Sequence, residues 1–375
     1  MVERRTDIRQ ETLDMIYSFI RRAIKERATD IHWEPCREFG HEEELTIRFR
    51  IDGILRDIER FSDQHTNLTS LVNAIKLMAS LDPTERRHQQ DGRFTFLHEN
   101  IDYDIRVASM PTIGGERIVM RLMDSSRYCM NLVDLGMSKD IMAALDILVY
   151  KPEGFVVIAG PTGSGKTTTL YSILKHIYSR EKNICTIEDP VEVKFTGINQ
   201  IQVNHDFGMT FVTGLRAILR QDPNVIAVGE IRDVETVRIA LQAALTGALV
   251  FSTLHAKDTV NTVIRLLDMG VEPFFISTAL TGVVSQRLVR LSCKICKGQG
   301  CVHCNHSGYK RRTGVFEILK ITDIIRELIL KKASGEELKA NAIKHGMIPF
   351  SKSLEPLLKE GLTTREEVER VLAQA

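Results

Sequence analysis

The chain has 375 residues, enough for two or three domains that each bury a core. Hydrophobic residues make up 43% and charged residues 26%, and 50 Lys plus Arg against 49 Asp plus Glu remove any general electrostatic reason to expect a nucleic-acid or acidic-lipid partner. No run of 18 apolar residues occurs, and the charged opening "MVERRTDIRQETLDM" lacks the apolar core of a signal peptide. The expectation is a cytoplasmic chain whose seven cysteines are not held in disulfides.

In chain order, Ile8, Leu13, Ile16, Ile20 and Ile24 fall near helical spacing over residues 8–27. "ATDIHWEP" then reads as extended. "ELTIRFRIDGILRDI" alternates Leu45, Ile47, Phe49 and Ile51 ahead of Asp52-Gly53, which predicts a hairpin turn. A helix is predicted from about Asp63 to Ser80, followed by strands in "GRFTFL", "IDYDIRVASM" and "ERIVMRLM". Residues 1–123 thus form an α+β block, and 124–136, without a clear period, read as a linker. From 137 to 375, strands ("GFVVIAG", "NICTIED", "VIAVGE", "ALVFSTL") alternate with amphipathic helices, the pattern of a parallel α/β sheet covered on both faces. Residues 313–375 read as mainly helical.

"GPTGSGKT" matches G-x-x-x-x-G-K-[ST], follows an apolar strand and opens a helix, the two conditions for a phosphate-binding loop. Gly160, Pro161, Thr162, Gly163, Ser164 and Gly165 would turn backbone N–H groups toward phosphates at a helix N-terminus. Lys166 would reach the outer phosphates and Thr167 would ligate Mg²⁺, with Thr168 completing the ATP site. Polar groups end three further strands: Glu188, Asp189 and Glu192; Glu230; Thr253 and His255. In an open parallel sheet such ends gather beside the phosphates.

With the phosphate-binding loop, "TIEDPVE", "GEIRD" and "STLHAKDT", the chain resembles the secretion-superfamily ATPases of type II secretion and type IV pilus systems. "ATDIHWEP", "RFRIDG", "QDGRF" and "PTIGGERIVMR" extend the resemblance through the first block, in the family's order. The resemblance implies a PAS-like N-terminal domain, a RecA-like ATPase domain and a hexamer. It implies Glu188 as the carboxylate that orients or deprotonates the attacking water. Glu230 would hold Mg²⁺ through water, and His255 would contact the γ-phosphate region. Arg106 and Arg121 would act as arginine fingers, since a guanidinium suits charge spread over three oxygens.

Cys293, Cys296, Cys301 and Cys304 form two Cys-x-x-Cys pairs four residues apart. Such pairs fit four thiolates around one Zn²⁺; a redox pair and unligated core thiols are the alternatives, and His303 or His306 offers a substitute ligand. Cys36, Cys129 and Cys185 read as small buried residues. The family's secretion and assembly branches carry a tetracysteine subdomain before a segment like "SGYKRRTGVFEIL", which retraction motors usually lack. The resemblance therefore implies an export or assembly motor with a trimmed metal knuckle over 293–304. It also implies a short form without the extra N-terminal docking module, peripheral to the inner membrane through a platform protein. A retraction ATPase, a RecA-like nucleic-acid translocase and a non-hydrolysing scaffold are the alternatives; no specific nucleic acid is expected as partner.

Overall fold

The computed structural model describes residues 9–36, 44–62, 68–124 and 130–373. The chain divides into two compact units, Met1–Ser126 and Arg127–Ala375.

In the first unit, α1 (Gln10–Lys25) precedes β1 (Ala28–Cys36), β2 (Glu44–Ile51) and β3 (Ile54–Ser62). Then come α2 (Leu68–Met78), β4 (Gln90–His98), β5 (Ile101–Thr112) and β6 (Gly115–Asp124). The strands form one antiparallel sheet in the order β3-β2-β1-β6-β5-β4. Asp52 and Gly53, with φ of 50° and 86°, make the predicted turn between β2 and β3. Side chains alternate across the pleat. Ile31, Trp33, Ile47, Phe49, Ile105, Val107 and Met120 share a buried core with Ile16, Phe19 and Ile20 of α1 and Leu71 and Ile75 of α2. The intervening residues, which include Asp30, Arg50, Arg106 and Arg121, lie on the opposite side of the pleat. The predicted helix is described from Leu68 only, its proposed first residues lying outside the described set.

Part of the expected linker, 125–129, including Cys129, also lies outside the described residues. Leu132 and Leu135 are buried, and the Gly314 N–H donates to the Leu135 carbonyl at 2.8 Å, so this end of the segment is packed.

The second unit begins with α3 (Lys139–Val149) and β7 (Gly154–Ala159). It continues through α4 (Lys166–Ile177), β8 (Ile184–Glu188), β9 (Asn199–Gln202), α5 (Phe211–Ile218), β10 (Val225–Val228), α6 (Val234–Leu245) and β11 (Leu249–Leu254). After α7 (Thr259–Asp268) and α8 (Pro273–Ala279), the long strands β12 (Leu280–Ser292) and β13 (Tyr309–Lys320) form a hairpin. Four helices follow: α9 (Asp323–Leu330), α10 (Gly335–Lys344), α11 (Phe350–Lys359) and α12 (Arg365–Leu372). The sheet order is β13-β12-β7-β11-β10-β8-β9, parallel throughout except for antiparallel β13.

Both faces are buried along β7, β8, β10 and β11, which is why these strands read as near-continuous apolar runs. Along β7, Phe155, Val157 and Ala159 join the core beneath α5 to α10, while Val156 and Ile158 join the one beneath α3 and α4. Residues 313–320 are the second half of β13, buried over 314–319, and the helices expected of the segment to 375 begin at α9 and make up most of it. Cys185 is buried as expected, but Cys36 is exposed at the end of β1.

Candidate functional site

The order β7-β11-β10-β8 places four strand ends side by side. They lead respectively into the phosphate-binding loop, His255, Glu230 and Glu188. Three polar strand ends that are scattered in sequence are thus drawn to one edge of the sheet.

The loop from Gly160 to Gly165 closes tightly on its surroundings. A Cβ at Gly160 would lie 2.4 Å from Ser164 Oγ and 2.8 Å from the Gln286 carbonyl, and one at Gly165 would lie 2.8 Å from Gln286 Nε2. Their φ values of 157° and 91° are also ones an L side chain avoids. Gln286, in the middle of β12, therefore forms the floor of the loop, and its Oε1 accepts a hydrogen bond from Thr169 Oγ1 of α4. The Ser164 hydroxyl is buried without a protein partner, and Thr167 and Thr168 are partly exposed at the start of α4.

Lys166 is buried and donates to the carbonyls of Gly160 and Pro161, each at 3.0 Å. Burial pushes its pKa down to about 8, with buried Arg287 adding to the effect and Glu230 opposing it. A polyphosphate in the loop would reverse that penalty by supplying the missing anion. The residues present therefore fit a nucleotide phosphate.

His255 links the lysine to the carboxylate. Its Nδ1 lies 3.4 Å from Lys166 Nζ and its Nε2 lies 3.1 Å from Glu230 Oε1. Burial, then Lys166 and Arg232, lower the imidazole pKa, against the opposing pull of Glu230. A neutral ring with its proton on Nε2 satisfies both neighbours, accepting from the ammonium and donating to the carboxylate. Glu230 Oε2 accepts from Arg232 Nε at 3.1 Å. Thr253, on the end of β11, donates to the Gly229 carbonyl at 2.7 Å and so braces the turn that carries Glu230.

Glu188 is more enclosed than a solvent-facing base. It is buried at the end of β8; its Oε1 accepts from Thr186 Oγ1 and from Gln200 Nε2 at 3.2 Å, and its Oε2 accepts from the Tyr171 hydroxyl. Asp189 is exposed, 4.0 Å from Arg232, and Glu192 contributes its backbone N–H to the Tyr171 hydroxyl at 3.2 Å.

Arg106 and Arg121 face one another across β5 and β6. Register extends the pair into a row, with Arg93 opposite Arg106 and Asp30 opposite both Arg121 and Arg50. Buried Asp30 accepts from Arg121 Nε at 3.0 Å and lies 3.7 Å from Arg50 Nε. Sequence reasoning missed Arg93 and Arg50 as members of this row, although both sit inside quoted motifs. It also missed Gln286 and Tyr171, whose signal is an uncharged polar group within an apolar run.

The four thiols converge at the tip of the β12–β13 hairpin. Their Sγ atoms all lie within 4.8 Å of one another, with separations of 3.9 Å for Cys293–Cys301 and 3.7 Å for Cys296–Cys304 and Cys301–Cys304. Four sulfurs about 2.3 Å from a tetrahedral zinc ion would be about 3.8 Å apart. Backbone N–H groups of Gly300 and Cys301 point at Cys296 and Cys304 Sγ, each at 3.2 Å. The donor set fits zinc. Neither His303 nor His306 joins it: the candidate ligand group among the described residues is the four cysteines, and His303 Nε2 instead meets Lys310 Nζ at 2.8 Å.

The base of this knuckle is clamped by the C-terminal helix. Buried Glu367 of α12 accepts from the backbone N–H and guanidinium of Arg290, at 2.6–2.9 Å, and from Arg370. Arg290 in turn stacks 4.1 Å from the centre of the Tyr309 ring.

The family model for "Type II/IV secretion system protein" matches residues 8–370. The chain is 45% identical to the type II secretion system protein HxcR of Pseudomonas aeruginosa, an alignment spanning 96% of this chain and 77% of that one. It is 43% identical to the type II secretion system ATPase E of Vibrio cholerae (97% and 76%) and 42% identical to the type IV pilus assembly ATPase PilB of Myxococcus xanthus (92% and 65%). Among solved structures, the pilus retraction motor PilT with bound ADP aligns at 28% identity with a TM-score of 0.65, over 95% of this chain and 96% of that one. The Legionella pneumophila ATPase DotB shares the fold, at 23% identity and a TM-score of 0.73 over 96% of both chains. The chain belongs to the type II/IV secretion system protein family, as an ATP-hydrolysing α/β enzyme of the RecA-like kind.

Proposed function

We propose that the chain is the ATP-driven motor of a type II secretion pseudopilus or a type IV or competence pilus, acting in assembly. The observation that carries this reading is the adjacency of the phosphate-binding loop, His255, Glu230 and Glu188 on neighbouring strand ends. Loop N–H groups and Lys166 bind the ATP phosphates. Glu188 activates water, and His255 relays the state of the phosphate end to Glu230. Mg²⁺, held by Thr167 and through water by Glu230, would neutralise charge on the phosphates. Arg106 and Arg121 serve as arginine fingers, so that hydrolysis is coupled to a closing motion and release to opening. Met1–Ser126 is read as the PAS-like module and the remainder as the motor domain.

The thiol geometry supports zinc as a structural ion of the knuckle and, through the family resemblance, an assembly motor over a retraction motor. The proposed working form is a homo-hexamer on the cytoplasmic face of the inner membrane, attached through a platform protein. ATP turnover of the purified chain against protein concentration, alone, with anionic vesicles and with single-stranded DNA, tests this. Turnover that rises with assembly, responds to vesicles and disappears in Glu188→Gln is expected. Stimulation by DNA would replace the reading with a translocase, and no turnover in any arm would leave a nucleotide-binding scaffold. Metal analysis should find one zinc per chain, lost in Cys296→Ser.

A further inference from the structure

Tyr171 lies in the second turn of α4, five residues beyond Lys166, and is 1% exposed. It belongs to the buried core beneath α3 and α4, where a phenylalanine ring is of a size to take its place. Its hydroxyl donates to Glu188 Oε2 and accepts the Glu192 N–H at 3.2 Å. Burial first, and then the Glu188 carboxylate, raise its pKa, so it remains a neutral donor at working pH.

The bonds to Glu188 are divided by origin. Oε1 is held from the sheet, by Thr186 of β8 and Gln200 of β9, while Oε2 is held from the helix by Tyr171. A carboxylate offers about four acceptor positions, so these three donors leave about one for a water.

We propose that Tyr171 is a positioning residue for hydrolysis, fixing the Glu188 carboxylate to the phosphate-binding helix and to the Glu192 backbone. This rests on the reading of Glu188 as the water-activating group. A displacement of α4 on phosphate binding then carries the base with it, and the loop after Glu188 is registered to the same hydroxyl. A purely structural tyrosine would do neither.

Tyr171→Phe keeps the ring and removes the donor. Turnover should fall about 10- to 100-fold with KM for ATP within about twofold, because geometry and not binding is lost. In a Glu188→Gln background the same substitution should add nothing further. Wild-type kcat in a Tyr171→Phe protein, beside an inactive Glu188→Gln, would overturn the proposal while leaving the reading of Glu188 intact. Full turnover in Glu188→Gln would remove both. If Tyr171→Phe lowers the melting temperature enough to confuse the result, site-specific fluorotyrosine at 171 keeps the shape and strengthens the donor. Turnover should then stay within about twofold of the unmodified protein; a fall as large as that of Tyr171→Phe would count against the proposal.

Discussion

The two sheets of this protein present charge in opposite ways. In the antiparallel sheet of the first unit, one face is core and the alternate side chains line up by register into rows, of which Arg93–Arg106–Arg121–Asp30–Arg50 is one. In the second unit both faces of the central parallel strands are buried, so the polar groups of the candidate site gather at strand ends. Within that row Asp30 separates Arg121 from Arg50, accepting a hydrogen bond from the first and lying 3.7 Å from the second. A strand end needs few groups, because neighbouring strands supply the rest. The lesson is that register places the arginines, whereas strand order places the carboxylates.

The largest test of this contrast is Arg121→Ala. It should lower turnover about 10³-fold, within the range known for arginine fingers, while nucleotide affinity in equilibrium titration stays near that of the unmodified protein. Unchanged turnover would reduce the row to surface charge. Next, Glu188→Gln should lower turnover about 10²- to 10³-fold with binding retained, read by single-turnover hydrolysis.

A structural carboxylate sharpens the comparison by affecting stability instead. Glu367→Gln leaves Arg290 poorly compensated and should cost about 3 kcal/mol in urea unfolding at pH 7. Burial opposes ionisation of Glu367, but hydrogen bonds from Arg370 and Arg290 hold its pKa at about 2, against 4.5 ordinarily. With the folded value depressed, its stabilisation is fully present above about pH 4.5 and is lost as pH falls toward 2. Unfolding midpoints of unmodified and Glu367→Gln protein should therefore converge on acidification across that window. The smallest effect belongs to Arg48→Ala, on the same side of the first sheet as Arg121 but paired with Asp57 and Glu34. It should cost about 1 kcal/mol or less and leave turnover unchanged, as expected of a partly exposed pair. A turnover defect as large as that of Arg121→Ala would erase the distinction between row and surroundings.

Strands β7, β8, β10 and β11, the phosphate-binding loop and the thiol cluster were legible in sequence, because each has a local signature of spacing or apolar continuity. The β12–β13 hairpin was not. Gln286 and Arg287 interrupt β12 with polar groups that are 2% exposed, so its burial is invisible to a hydrophobic pattern. Their partners, Thr169 for the first and the Lys257 carbonyl for the second, are distant in sequence. Short, polar β9 lacked any apolar run, and α3 followed a segment read as linker. The enclosure of Glu188 depends on Tyr171, Thr186 and Gln200 meeting from three elements, which no single motif contains.

The antiparallel strand β13 has a consequence for solubility. A parallel sheet left open at that side would present the edge of β12, thirteen residues long, to any passing chain. β13, itself twelve residues long but buried over most of its second half, takes that place, and at the opposite side β9 is only four residues long and reads Asn-Gln-Ile-Gln. Short and polar edges discourage strand addition. The β9 side of the sheet is thus a poor template for pairing with another chain.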